Sequence, residues 1–250
     1  MSAGYREDLA YIHDAGFGQL AVHAAGVAVD ALRAAGHRRG LVVDLGCGSG
    51  VAAKALCEAG YDVLGIDLSA ALVDTARRRV PAATFRVGSC LSAEIPPCVA
   101  VTAIGEVFNY AFDPANGPEA RQALFDRVGR ALAPGGVFLF DMADPDRAPE
   151  GPQRVGTAGD DWAVLMEAHA SADRRELTRR ITTFRRVGTL YRRDEETHRL
   201  HLVPRADVHD GLERAGFRAT SGHTYGALSL PPGLVAFVAR PADDAGGVTS

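Results

Sequence analysis

Short apolar runs alternate with stretches of helical periodicity through the first 140 residues of the chain. LVVDL (41–45), DVLGID (62–67), TFRVG (84–88), VAVTAIG (99–105) and VFLFDM (137–142) read as strands. Their near-continuous hydrophobicity suits strands buried on both faces, as in a parallel sheet. Helical segments with defined ends lie between them. The alanine-rich VAAKALCEA stops at Gly60, which suits a left-handed cap. Ser69 can cap AALVDTARRR, which ends before Pro81. Pro118 fits the first turn of EARQALFDRVGRAL, whose Leu124, Phe125, Val128 and Leu132 line one face. Strand, helix and strand in repeated succession predict a doubly wound α/β fold.

After residue 143 the pattern changes. Residues 144–160 are rich in proline, glycine and charge and read as a loop. From Trp162 to Val203 polar and apolar positions alternate in a way suited to antiparallel strands. Helical periodicity returns in RADVHDGLERAG, and LVAFVARP (234–241) reads as a last strand. Ahead of the first strand, residues 5–35 read as helical, either scaffold or a lid over the binding crevice. The expected organisation is one domain over 1–250. It comprises a helical cap (1–39), a core (40–142), a loop and β insertion (143–203), a final helix and strands (204–241) and a frayed polar tail (242–250).

Composition removes several function classes. Lys and Arg number 27 against 31 Asp and Glu, a net charge of −4, which opposes a phosphate-driven nucleic-acid binder. None of the four cysteines, Cys47, Cys57, Cys90 and Cys98, forms a Cys-x-x-Cys pair, and no histidine spacing completes a metal site. No apolar run approaches ~18 residues, and the first residues lack a basic and then apolar leader. The expectation is a cytoplasmic protein with neither a membrane nor a nucleic-acid partner, acting as monomer or homodimer.

The stretch VDLGCGSG (43–50) carries the candidate chemistry. Gly46, Gly48 and Gly50 follow a strand and open a helix, so backbone amides can approach a ligand without Cβ obstruction. The ligand belongs at the carboxyl ends of the strands, where the sheet order reverses. The spacing is Gly-x-Gly-x-Gly, whereas the dinucleotide fingerprint is Gly-x-Gly-x-x-Gly; its last position is Val51 here. Asp44 stands two places before the first glycine, where a ligand ammonium would benefit. Asp67 closes the second strand, where an acid can accept ribose hydroxyls. Its alternative role is to cap the helix that begins near Ser69.

VDLGCGSG, GIDLS (65–69), FRVGS (85–89), AIGEVFNY (103–110) and LAPGGVFLF (132–140) together resemble the class I S-adenosylmethionine-dependent methyltransferases. The resemblance covers roughly residues 40 to 142. It implies a Rossmann-like, doubly wound seven-stranded sheet with an antiparallel last strand, here with an N-terminal helical lid and an antiparallel β insertion. It implies S-adenosyl-L-methionine as cofactor, held at Asp44, Gly46, Cys47, Gly48, Gly50, Asp67 and Leu68. Family members often carry an acid after the third strand for the adenine amino group; this chain has Ser89 and Cys90 there. They are the candidate adenine contacts, the Ser89 hydroxyl as acceptor and the backbone amide of Cys90 toward a ring nitrogen. Glu106 is in a position that faces cofactor or substrate in the family.

Methyl transfer from a sulfonium needs alignment, water exclusion and, for some acceptors, a base. Glu106 and His13 are the candidate catalytic groups. Tyr11, Phe17, Asn109, Tyr110 and His198 are the candidate substrate contacts. His198 and His201 sit three apart, so on a strand at most one faces a pocket. The arginine pairs at 174/175, 179/180, 185/186 and 192/193 read mainly as a solvated sheet face, with an anionic-substrate site as the sharper alternative. The expected activity is methyl transfer to N, O or C of a small molecule. RNA or protein methylation, a nicotinamide-dependent oxidoreductase and a cofactor binder without turnover are the competing readings.

Overall fold

A computed structural model describes residues 4–242. Helices α1 (Glu7–Gly16) and α2 (Gln19–Ala34) lead into β1 (Leu41–Leu45), α3 (Val51–Glu58), β2 (Asp62–Asp67), α4 (Ala70–Arg79), β3 (Thr84–Val87) and β4 (Cys98–Ala103). After a 3-10 turn at Val107–Asn109 come α5 (Pro118–Ala131) and β5 (Leu132–Ala143). A second sheet follows, built from β6 (Gln153–Ala158), β7 (Trp162–Ala170), β8 (Glu176–Val187) and β9 (Leu190–His201). The chain returns to the core with α6 (Arg205–Arg214), β10 (Phe217–Gly222), the short β11 (Thr224–Tyr225) and β12 (Leu228–Ser229), and β13 (Leu234–Pro241).

The main sheet has seven strands in the order β10-β13-β5-β4-β1-β2-β3. All pairings from β5 to β3 are parallel, and β13 runs antiparallel to both its neighbours. The order reverses between β1 and β4, which opens a crevice at the carboxyl ends of those strands. Successive strand residues point to opposite faces. Val43 and Leu45 therefore join the core under α5 and α6, and Val42 joins the core under α2, α3 and α4. Both faces are covered, and this is the reason for the continuous apolar runs.

The helix ends follow from local chemistry. Ser69 caps α4, accepting from the Leu72 amide at 3.3 Å, and Pro118 starts α5. The helical front of the chain is two helices bent by 61° at Phe17 and Gly18. Helix α1 packs Leu9 and Ile12 against Trp162, Val164 and Ile181 of the second sheet. The loop expected at 144–160 is corrected: it contains β6. All six residues of that edge strand are exposed, so it has no buried face to leave an alternating signature. The frayed tail expected over 242–250 lies, from residue 243, outside the described residues.

Candidate active site

The glycine loop turns at the end of β1 with left-handed backbone at Gly46 (φ +66°), Gly48 (φ +53°) and Gly50 (φ +79°). At Gly46 a Cβ would stand 2.6 Å from a Val107 methyl, so the position excludes any side chain. Asp44 lies buried at the foot of the loop. Its Oδ1 accepts the Thr102 hydroxyl at 2.7 Å, and its Oδ2 is buried with no partner among the described residues. Burial pushes its carboxyl up to about 7, against the opposing donation from Thr102. A buried carboxylate oxygen without a donor fits a cationic ligand group. Asp67 reaches back from β2: its Oδ2 accepts from the Gly48 amide at 2.9 Å and its Oδ1 from the Ser69 amide at 2.8 Å. It therefore braces the loop as well as the start of α4, and each oxygen keeps a second acceptor site.

A cavity runs over these strand ends. Gly46, Gly48, Asp67, Leu68 and Cys90 line it, together with Asp113, a residue the sequence reading missed. Ser89 does not line it. The Ser89 hydroxyl donates to Asp113 Oδ2 and accepts from the Leu91 amide, while Asp113 Oδ1 accepts from the Ala115 amide at 3.0 Å. An acid absent after the third strand is thus supplied at the same end of the cavity by the segment beyond the 3-10 turn. Burial pushes the Cys90 thiol up to about 12, so it is an uncharged wall.

A second cavity of about 620 Å³ opens between the core, α1 and the second sheet. Tyr5, His13, Phe17, Leu20, Gly105 and Tyr110 line both cavities and form their common wall. His13 carries an imidazole whose pKa burial lowers to about 4. The Tyr5 and Tyr110 hydroxyls are 2.8 Å apart, and burial raises both phenols, which stay protonated. Tyr5 is pinned from two sides: its carbonyl accepts the Ser69 hydroxyl at 2.8 Å, and its amide donates to Glu196 Oε2 at 2.8 Å. Its left-handed φ of +59° is the strain this strap holds. Glu196 also accepts from the Arg6 amide and lies 2.9 Å from Nε2 of His198, which lines the second cavity.

Glu106 is only 6% exposed and also has a left-handed backbone, φ +62°. Asp141 holds that turn, accepting from the Gly105 amide at 3.0 Å and the Glu106 amide at 2.6 Å. The Glu106 carboxylate meets Arg179 through two hydrogen bonds, at 2.6 and 3.0 Å, and Arg147 through Nε at 2.9 Å. Burial alone would push its carboxyl up, but the two guanidiniums outweigh it and hold the pKa below the ordinary value. Glu106 lines the second cavity and not the first, so the expected cofactor contact is revised to an ion pair in the second cavity. Register explains Arg179: it pairs with His198 across β8 and β9 on the inward face, while Arg180 turns out to Glu195.

Four expected contacts are revised. Tyr11 turns away from the cavities, donating to Asp161 at 2.7 Å beneath the guanidinium of Arg185. Asn109 is fully buried; its amide donates to the carbonyls of Ala143 and His201 and its oxygen accepts from the Ala143 amide. All its polar atoms are spent on joining the two sheets. Cys47 packs its side chain into the core and gives its amide to the Ile66 carbonyl. At Gly50 a Cβ would meet Ala76 at 3.0 Å, so this glycine serves the approach of α4. Arg147, Arg179, Tyr5, Asp113 and Asp141 were missed as individual residues.

Residues 42–136 match a family model described as a methyltransferase domain. Over that stretch the core is similar to a methyltransferase domain. A trans-aconitate 2-methyltransferase of Paracidovorax citrulli is 37% identical over 120 residues, 47% of this chain and 43% of that protein. The chain thus matches less than half the length of that relative. The chain shares its fold with an S-adenosylmethionine-dependent methyltransferase from Clostridium acetobutylicum, with a TM-score of 0.79 at 17% identity over 93% of this chain and 97% of that one. The sugar N-methyltransferase KedS8 from Streptoalloteichus has a TM-score of 0.74 at 19% identity, covering 96% and 95%. Among the described residues no single helix is long and apolar enough to cross a membrane, and no group of His, Cys, Asp or Glu could hold a metal ion.

Proposed function

We propose that this protein is a cytoplasmic enzyme that methylates a small molecule at N, O or C, using S-adenosyl-L-methionine. When bound, the cofactor supplies a methyl group on a sulfonium leaving group, which needs no further activation. The whole chain acts as one domain, with the cap and the inserted sheet closing on the core. Asp44 takes the cofactor's ammonium, and the backbone at Gly46 and Gly48 leaves room for its methionine part. Asp67 accepts the ribose hydroxyls, Leu68 covers the adenine face, and Asp113 accepts from the adenine amino group.

The observation that carries the reading is the wall shared by the two cavities. A methyl group can pass between ligands only where both chambers open onto the same residues. Tyr5, His13, Phe17 and Tyr110 stand there, shutting out water and orienting the acceptor. His13 is neutral at physiological pH, so its imidazole can accept the acceptor's proton, which becomes strongly acidic once the methyl has transferred. Glu106, held by two guanidiniums, positions Arg147 and Arg179 and is not the base.

The test is calorimetric titration with S-adenosylmethionine, then a metabolite library read out by release of S-adenosylhomocysteine. Trans-aconitate and amino sugars belong in the first panel because of the relatives' names. Uptake of NADH with no response to S-adenosylmethionine would make the protein an oxidoreductase. Turnover confined to RNA or protein substrates would leave the cofactor assignment and remove the small molecule. Binding without turnover on any acceptor would make the chain a cofactor binder.

A further inference from the structure

The second cavity has a polar end and an apolar body. Leu9, Leu20, Val164, Met166, Ile181 and Leu234 wall most of it, and Arg147, Arg179 and Glu106 occupy one region. Two guanidiniums and one carboxylate line the cavity there, while the Asp141 carboxyl stays behind the Glu106 turn and does not reach the cavity. Glu106 Oε1 already accepts from both arginines and Oε2 from Arg179, so this carboxylate has little capacity left for a ligand amine. Nη2 of Arg147 and Nε of Arg179 find no hydrogen-bond partner among the described residues. The charge offered to a ligand is therefore cationic, with the planar donors that suit a carboxylate.

We propose that the methyl acceptor is an apolar molecule bearing a carboxylate, and that Arg147 and Arg179 hold this carboxylate as a handle. The inference rests on the proposed methyl transfer and names its substrate class. A carboxylate gripped by guanidiniums is a poor nucleophile, so the accepting atom lies on the body of the molecule, toward His13 and the two tyrosine hydroxyls. Arg179 comes from the inserted sheet and Arg147 from the turn after β5, so the handle forms only when insertion and core are docked.

Matched pairs of acid and primary amide test this, titrated into protein saturated with S-adenosylhomocysteine: 3-hydroxybenzoate, 4-aminophenylacetate and 3-hydroxyoctanoate, each against its amide. At least one acid should bind at millimolar concentration and its amide roughly tenfold or more weakly. Arg147→Gln, at a half-exposed position, should erase that difference. Glu106→Gln should strengthen acid binding, because it leaves Arg179 buried without an anion; a site built around the carboxylate would respond in the opposite sense. Equal binding of acids and amides, preference for amines, no acid binding at all, or weaker acid binding in Glu106→Gln would each overturn the proposal. Failure to take up S-adenosylhomocysteine in the first place would instead overturn the proposed function.

Discussion

Thr102 donates its hydroxyl to one oxygen of Asp44 at 2.7 Å and leaves the other oxygen buried without a partner. The carboxyl is pushed by burial up to about 7, so near neutral pH a fraction of the free protein carries it protonated. A cofactor ammonium at Oδ2 favours the carboxylate, so binding should release a proton, and affinity should rise as the pH climbs through about 7. Titrations in two buffers of different ionisation heat should differ below that pH, and Asp44→Asn should abolish the difference while weakening binding by roughly tenfold or more. Equal heats in both buffers would remove Asp44 from the ammonium site. In the free protein, a carboxyl raised on folding stabilises most at low pH and loses that contribution as pH rises through about 7.

His13 should give an unusual pH profile. Its imidazole stays neutral down to about 4, whereas an ordinary histidine protonates near 6.5. The acid limb of kcat/KM contributed by this residue should therefore fall near 4. His13→Gln should lower kcat by on the order of 10²-fold with little change in cofactor affinity. An acid limb that persists unchanged in the variant belongs to another group. The same shift gives a stability sign: the neutral imidazole's contribution is present above 6.5 and is lost as pH falls toward 4.

Asp113 should make the adenosyl site selective for an amino group. The wild type should bind S-adenosylhomocysteine more tightly than its inosyl analogue, whose ring oxygen would face a carboxylate. Asp113→Asn offers an amide donor to that oxygen, so the preference should shrink by roughly tenfold. Competition binding with the two compounds measures the ratio. An unchanged ratio would show that another group reads the base.

What was legible in the sequence was what the backbone demands. Gly46 must lack a Cβ beside Val107, and Asp67 must brace both Gly48 and Ser69, so spacing and residue type alone marked the loop and the acid after it. The central strands β1, β2, β4 and β5 were legible because they are buried on both faces, while the count of seven came from the family resemblance, since the edge strand β10 is largely uncovered. The β insertion was partly legible: period-2 alternation separates Arg179 from Arg180, whereas Arg174 and Arg175 precede β8 in a turn. Which of them reaches a cavity depends on the register of β8 with β9, and that is set across the sheet. Tyr11 and His13 shared one expectation, although they lie on different faces of α1; only its docking between core and insertion separates them. Asp113 had no local signature, because an acid in an irregular segment takes its place from the Ser89 hydroxyl it meets.

Asp141 should control the acceptor side without touching a ligand. It accepts from the amides of Gly105 and Glu106 and from the Tyr225 hydroxyl at 3.0 Å, and so holds a left-handed turn at two consecutive residues. Asp141→Asn keeps the shape but turns an NH2 group toward one of those donors, which should cost about 2–4 kcal/mol in denaturant unfolding. Tyr225→Phe removes only one donor and should cost about 1 kcal/mol. Burial pushes the Asp141 carboxyl up to about 6, so its contribution to stability declines as pH rises through that value, and Asp141→Asn should flatten this part of the curve. If the turn also aims Glu106 at its arginines, binding of the acid probes should rise in Asp141→Asn where the protein remains folded, as in Glu106→Gln. A variant as stable as the wild type, with unchanged probe binding, would mean that the Glu106 conformation is fixed by its arginines alone.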